Sequence, residues 1–131
     1  MLIYPEGTRF TEEKRARALA RVAEAGPPER AARVSRLRHV LPPRSGGPLA
    51  LLRAAAPADA LWLGHTGLEG LGTLRDVLSG GIVGRHVRVA LWRTPTTGIP
   101  ADRDGAVRWL DEAWERMDAW VDGARKTEEP A

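Results

Sequence analysis

The strongest constraint on the fold is an apolar stripe near the end of the chain. Its residues recur at the spacing of one face of an α-helix: Trp109, Leu110, Ala113, Trp114, Met117, Trp120 and Val121. Asp102 is a suitable N-cap, so the pattern predicts a helix over residues 102–122. Such a stripe most simply faces the protein core. The alternative is that Trp114 and Trp120 lie among lipid head groups.

Composition limits the class of protein. A chain of 131 residues with 43% hydrophobic and 28% charged residues is typical of one globular domain. It contains no cysteine, which excludes disulfides, thiolate metal sites and cysteine nucleophiles. No apolar run approaches the ~20 residues of a transmembrane helix, and no signal peptide is visible. Basic residues outnumber acidic ones by only 20 to 17 and are interleaved with them, which argues against a nucleic-acid-binding stripe.

Short apolar segments alternate with helical patterns along the rest of the chain. Strands are predicted at four places: 2–4, 40–41, 60–63 and 87–91. Further helices are predicted at three places: about 11–25, 48–55 and 71–78. Residues 26–38 are predicted to form a surface connection that is partly helical. The alternation favours an α/β fold in which helices flank a partial mixed sheet, with a single domain over residues 1–125 and a frayed tail at 126–131.

A polar motif, Glu6-Gly7-Thr8-Arg9, follows the first predicted strand. Gly7 permits a positive φ and the close approach of a ligand, and the planar guanidinium of Arg9 suits a phosphate. Thr8 adds a hydroxyl near a helix start, where anions are favoured. Glu6 can accept a hydrogen bond from a substrate hydroxyl or orient Arg9. The motif therefore predicts an anion-binding turn, and the alternative is an ordinary turn with a surface ion pair.

The motif belongs to a longer resemblance. Tyr4-Pro5-Glu6-Gly7-Thr8-Arg9 resembles the third conserved block, usually F-P-E-G-T-R, of the glycerophospholipid acyltransferases, and is most similar to 1-acylglycerol-3-phosphate acyltransferases. Residues 10–14 resemble the usual continuation of that block, and residues 40–47 resemble the fourth block, in its L-P-R-T-x-G style. The C-terminal region of the subgroup is similar at Ile99-Pro100, Trp109-Leu110, Trp114 and Asp118. The resemblance covers most of the chain.

This resemblance implies an activity and a set of contacts. The activity is transfer of an acyl group from acyl-CoA or acyl carrier protein to the free hydroxyl of 1-acylglycerol 3-phosphate, in phospholipid biosynthesis. Arg9 would hold the acceptor phosphate, Glu6 would bind or orient the glycerol, and Gly7 and Thr8 would shape the turn. The positions that match the fourth block, which is linked to catalysis or acyl-donor binding, are Leu41, Pro42, Pro43, Arg44 and Gly46 or Gly47.

The implied partners are lysophosphatidate, an acyl thioester as co-substrate and a membrane surface, with no bound cofactor, no metal and no nucleic acid. The implied location is the cytoplasmic face of the cell membrane, with peripheral attachment or an anchor in a missing N-terminal segment. The alternative to an enzyme is a non-catalytic module that binds a lipid or another anion. An arginine-rich nucleic-acid binder is a third, less favoured, class.

The catalytic pattern of the family, H-x4-D, is absent. The positions five residues after His39, His65 and His86 hold Arg44, Gly70 and Leu91. The second block normally precedes the third and has no place here either. The resemblance therefore implies the C-terminal half of such an enzyme, from the E-G-T-R block onward and without catalytic residues. The chain alone is predicted to be inactive, because its general base for the acceptor hydroxyl is missing.

Other candidate sites are weaker. His65 stands at a predicted strand end, where chemistry can occur, although a lone histidine is more often structural. No histidine has a second ligand at a spacing that suits a metal, and the glycines after residue 63 do not form a dinucleotide-binding pattern. A further source of cations for an anionic head group is the set Arg30, Arg33, Arg36 and Arg38. The simpler interpretation of these arginines is a solvated connection.

Overall fold

Helix α5, Arg103–Lys126, is the longest element of the computed structural model, which describes residues 1–68, 71 and 74–127. The predicted cap is confirmed, because the carboxylate of Asp102 accepts a hydrogen bond from the Gly105 N–H at 2.6 Å. The helix continues to Lys126 rather than ending at residue 122. Basic residues in this last turn suit the negative end of the helix dipole. Residues 128–131, most of the predicted frayed tail, lie outside the described part.

The apolar stripe of α5 faces the core, as predicted. Its buried members are Leu110, Ala113, Trp114, Met117 and Val121, and Ala106 and Ala124 extend it at both ends. Trp114 packs edge-on against Trp62 of the sheet, with ring centroids 5.8 Å apart. Trp120 packs in the same way against Trp92, at 5.5 Å. Both tryptophans of the membrane alternative are therefore packed against strand tryptophans.

Strands β1, Ala60–Thr66, and β2, Arg88–Thr94, form the sheet that covers α5. They pair antiparallel, with register running from Ala60 opposite Thr94 to Thr66 opposite Arg88. The predictions of strands at 60–63 and 87–91 are thus confirmed, with shifts of a few residues at their ends. The sheet has two strands within the described residues, so the structure combines helices with a small antiparallel sheet in place of the predicted mixed sheet.

The outward face of β2 differs from the one that its alternation suggests. Val89 and Leu91 are each 58% exposed, while Ala90 and Trp92 turn toward α5. On β1, Leu61 and Leu63 are also exposed. The large tryptophan rings take the inner face because α5 offers them matching aromatic partners. The aliphatic residues that the sequence suggests as the buried set are left facing outward.

The predicted strands at 2–4 and 40–41 are wrong. Residues 1–4 have no strand structure, and Leu2 and Tyr4 are each 75% exposed. Val40 and Leu41 are buried, but their segment is irregular. Its backbone is fixed by Asp118 of α5, whose Oδ1 accepts hydrogen bonds from the N–H groups of three successive residues: Arg38 at 2.9 Å, His39 at 2.6 Å and Val40 at 3.2 Å. A side chain here replaces the neighbouring strand that the prediction required.

Three helices precede the sheet. Helix α1, Glu12–Ala25, matches its prediction, with Thr11 accepting from the Lys14 N–H at 3.2 Å. Helix α2, Pro28–Val34, is the helical part of the predicted connection. Helix α3, Gly46–Ala55, begins slightly before the predicted start. Between the strands, α4, Leu74–Asp76, is followed by a helical turn, Val77–Gly81. These agree in part with the predicted helix at 71–78, of which residues 72–73 are outside the described part.

The core lies where α5 meets the irregular segment after α2, the start of α3 and the inner face of the sheet. Its buried members are Val34, Leu37, Val40, Leu49, Ala106, Leu110, Trp114 and Met117. Of the helices in the described ranges, none has the length and apolar character needed to cross a bilayer. The single domain over residues 1–125 remains a prediction.

Candidate anion-binding site

The polar motif forms a tight turn at the start of the chain. The N–H of Gly7 donates to the carbonyl of Tyr4 at 2.9 Å, and Gly7 has φ +70°, the positive value that the sequence analysis predicts for it. A Cβ atom at Gly7 would lie 3.2 Å from both Cζ and Nε of Arg44. Glycine is suited to this position for two reasons: it readily adopts the positive φ, and it leaves room for the Arg44 guanidinium to lie against the turn.

This turn brings together the two sequence blocks, although they are far apart in the chain. The N–H of Arg44 donates to the Pro5 carbonyl at 2.9 Å. The segment that carries Arg44 is held in turn by Pro43, whose carbonyl accepts from Arg30 at 3.0 Å. Pro42 and Pro43 are buried. The 40–47 segment, which resembles the fourth block, is thus fixed against the turn, with Arg44 as its exposed charged end.

Glu6 turns inward from the turn and is half-buried. The indole N–H of Trp114 donates to its Oε1 at 3.3 Å. Burial raises the pKa of the Glu6 carboxyl to about 7. Hydrogen bonds from the Leu41 backbone and from Trp114 oppose this shift, and the negative charge of Asp118 adds to it. Glu6 therefore changes charge near neutral pH.

A cavity of about 220 Å³ opens between the turn, the 40–47 segment and one face of α1. Its lining residues are Glu6, Thr8, Lys14, Arg17, Ala18, Arg21, Leu41, Pro42 and Arg44. Four of these are cations and one is a carboxyl. The Lys14 ammonium donates to the Thr8 hydroxyl at 2.9 Å, and Arg17 pairs with Glu13 at 3.0 Å. The excess of positive charge suits an anionic ligand.

Arg9 lies elsewhere. Its guanidinium donates to the carbonyl of Leu71 at 3.2 Å, in an exposed position, and Arg9 does not line the cavity. Of the predicted site residues, the structure thus brings together Glu6, Thr8, Pro42 and Arg44, with Gly7 beneath Arg44. Pro43 is buried and does not line the cavity. Sequence reasoning missed Lys14, Arg17 and Arg21, although their spacing of three and four residues in a predicted helix was a usable signal.

Two arginines of the connection, Arg30 and Arg33, serve the fold. Arg30 makes two hydrogen bonds to Asp111, at 3.0 and 3.1 Å, and Arg33 approaches the same carboxylate at 3.3 Å. Asp111 is 1% exposed. A buried carboxylate needs such charged partners. Arg30 and Arg33 are therefore engaged in joining α2 to α5 rather than placed at the cavity.

The histidines lie away from the cavity. Nε2 of His39 is 3.1 Å from Oδ1 of Asp122, and Arg125 lies 3.1 Å from its Nδ1. His65 and His86 are exposed, the first on the outer face of β1 and the second before β2. Groups of three or more potential metal ligands do not occur within the described ranges. The cavity lining has four cations and no imidazole base.

Comparisons with known proteins add no identification: no protein family, no curated protein and no solved structure matches the chain.

Proposed function

We propose that this chain is the acceptor-binding part of a 1-acylglycerol-3-phosphate acyltransferase. The complete reaction would move an acyl group from acyl-CoA or acyl carrier protein to the free hydroxyl of lysophosphatidate, at the cytoplasmic face of the membrane. One observation carries the proposal. The two blocks that resemble this family, separated by thirty residues, meet through the Arg44–Pro5 hydrogen bond beside a cation-lined cavity.

The chemistry of the cavity agrees with a glycerol phosphate head group. Its cations offer charge-assisted hydrogen bonds to a phosphate, and an ionised Glu6 can accept one from a glycerol hydroxyl. The volume of about 220 Å³ is below the ~300–1,000 Å³ of typical drug-sized ligand pockets. The cavity thus suits a head group, and the acyl chain of the acceptor would remain outside it.

In the family that the two blocks resemble, a histidine takes the proton of the acceptor hydroxyl. The H-x4-D pattern does not occur in the sequence, and the cavity lining has no histidine. We therefore propose that the chain by itself binds the acceptor without acylating it. The same observation favours the second candidate, a non-catalytic module that binds a lipid head group or another phosphate monoester.

Binding and turnover can be tested together. Phosphatidylcholine vesicles containing lysophosphatidate should retain the protein in a flotation assay more strongly than vesicles with the same fraction of 1-acylglycerol, which lacks the phosphate. With acyl-CoA added, mass spectrometry should detect no phosphatidate. Equal retention on both vesicles would refute acceptor binding, and phosphatidate formation by this chain would refute its proposed inactivity.

A further inference from the structure

Helix α1 presents a row of cations to the cavity. Lys14, Arg17 and Arg21 all line it, because their spacing of three and four residues places them on one helix face. Leu19 and Val22, on a neighbouring face, pack against the core. The helix is thus held by its apolar side chains while its basic face looks toward the N-terminal turn.

Two of the cavity's charges, one from α1 and one from the 40–47 segment, converge on the turn itself. The ammonium of Lys14 lies 2.9 Å from the Thr8 hydroxyl. The guanidinium of Arg44 lies against Gly7, close enough that a Cβ atom there would meet its Cζ at 3.2 Å. Gly7 and Thr8 are adjacent in the chain, so the Lys14 ammonium of α1 and the Arg44 guanidinium of the 40–47 segment approach the same turn.

The cavity's positive charge is only partly balanced by the protein. Arg17 has Glu13 as its partner, and Lys14 bonds a neutral hydroxyl. Within the part of the chain that the structure describes, the side chains of Arg21 and Arg44 make no hydrogen bond or ion pair. A concave surface lined by one sign of charge concentrates ions of the opposite sign. A bound anion would relieve the mutual repulsion of these groups.

We infer that the cavity binds the phosphate of a phosphate monoester between Lys14 and Arg44, with Arg21 as a third, outer cation. The inference rests on the proposed function and assigns its phosphate contacts to α1 and the 40–47 segment in place of Arg9. The planar guanidinium of Arg44 provides two parallel donors, and Lys14 provides a compact charge. Glu6, deeper in the cavity, faces the group that carries the phosphate.

The test is a titration of the whole chain with glycerol 3-phosphate and, separately, with inorganic phosphate. Binding is followed by the NMR signal of the Trp114 indole N–H, which reports on Glu6. The variants Lys14→Gln and Arg44→Gln should each weaken binding about tenfold or more, as expected for a charge-assisted hydrogen bond. Arg9→Gln and Arg36→Gln remove the same charge elsewhere and should change affinity less than about threefold. Arg44→Lys retains the charge and should recover part of the loss.

The outcomes separate this inference from the proposed function. A loss in Arg9→Gln as large as in Lys14→Gln, or the absence of saturable binding to the native chain, would overturn the cavity assignment. Retention on lysophosphatidate vesicles would then still support acceptor binding. The converse result is also possible to distinguish. If glycerol 3-phosphate binding depends on Lys14 and Arg44 but the protein shows no preference for lysophosphatidate over 1-acylglycerol vesicles, the phosphate site in the cavity is supported. The proposal that lysophosphatidate is the acceptor is then refuted. Circular dichroism establishes that each variant is folded.

Discussion

At the scale of single residues, Gly7 meets two steric requirements at once. Its φ of +70° is unfavourable for a residue with a Cβ atom, and that atom would press on the Arg44 guanidinium at 3.2 Å. Gly7→Ala should therefore lower the free energy of unfolding by about 1–2 kcal/mol in urea denaturation. The matched control is Gly46→Ala, where the added methyl group meets nothing within 4 Å. If both variants are equally stable, the turn does not require glycine.

Glu6 makes the stability of the fold depend on pH. Its folded-state pKa of about 7 exceeds the ordinary value of 4.5, mainly because of burial. The stability that protonated Glu6 gives the fold is therefore fully present below pH 4.5. It is lost between about pH 4.5 and 7, because Glu6 ionises in the unfolded chain before it does so in the folded one, and it stays lost above pH 7. The total loss is up to roughly 3 kcal/mol.

The measurement compares the native chain with Glu6→Gln, which keeps an oxygen acceptor for Trp114 and cannot ionise. From pH 4.5 to 7 the unfolding free energy of the native chain should fall relative to that of Glu6→Gln. Above pH 7 the difference between the two proteins should remain constant. Other carboxyl groups titrate in both proteins and cancel in this difference. A difference that does not vary with pH would mean that Glu6 ionises normally in the folded state.

At the scale of elements, Asp118 connects α5 to the segment that supports the cavity. Its Oδ1 accepts from three consecutive N–H groups just before Leu41 and Pro42, which line the cavity. Asp118→Asn keeps an oxygen but loses the charge, so the free energy of unfolding should fall by roughly 1–2 kcal/mol. Asp118→Ala leaves the donors unsatisfied and should cost more. Glu112→Gln, an exposed change on the same helix, should stay within about 0.5 kcal/mol in the same denaturation experiment.

The helices and strands also show which sequence signals were sufficient to predict secondary structure. Helices α1 and α5 were predictable because their caps, Thr11 and Asp102, and their periodic patterns are local. The strand at 2–4 was not, because apolar residues form a strand only beside another strand. The inner face of β2 was also not encoded locally, since Trp92 is placed by its contact with Trp120 on a distant helix.

At the scale of the whole molecule, the candidate site was predictable only in part. The residues of the two blocks were found from sequence, and the structure brings Glu6, Thr8 and Arg44 to one cavity. The direction of Arg9 was not predictable, because its hydrogen bond to Leu71 joins residues 62 positions apart. The spacing of the cations on α1 was visible in the sequence. That they line a cavity was not, because this depends on how the helix packs against the turn.

The same cavity joins three parts of the chain: the N-terminal turn, α1 and the 40–47 segment. Helix α1 has no fully buried residue, so a ligand that contacts all three parts should stabilise the fold. At a concentration about 100-fold above its dissociation constant, glycerol 3-phosphate should add roughly 2.7 kcal/mol to the unfolding free energy. Thermal unfolding at fixed ionic strength, with sodium chloride as the matched salt, measures this effect. In Lys14→Gln, whose binding is expected to be at least about tenfold weaker, the increase at the same concentration should fall to about 1.4 kcal/mol or less. An equal increase with chloride would mean that screening of the basic surface, and not an occupied cavity, stabilises the protein.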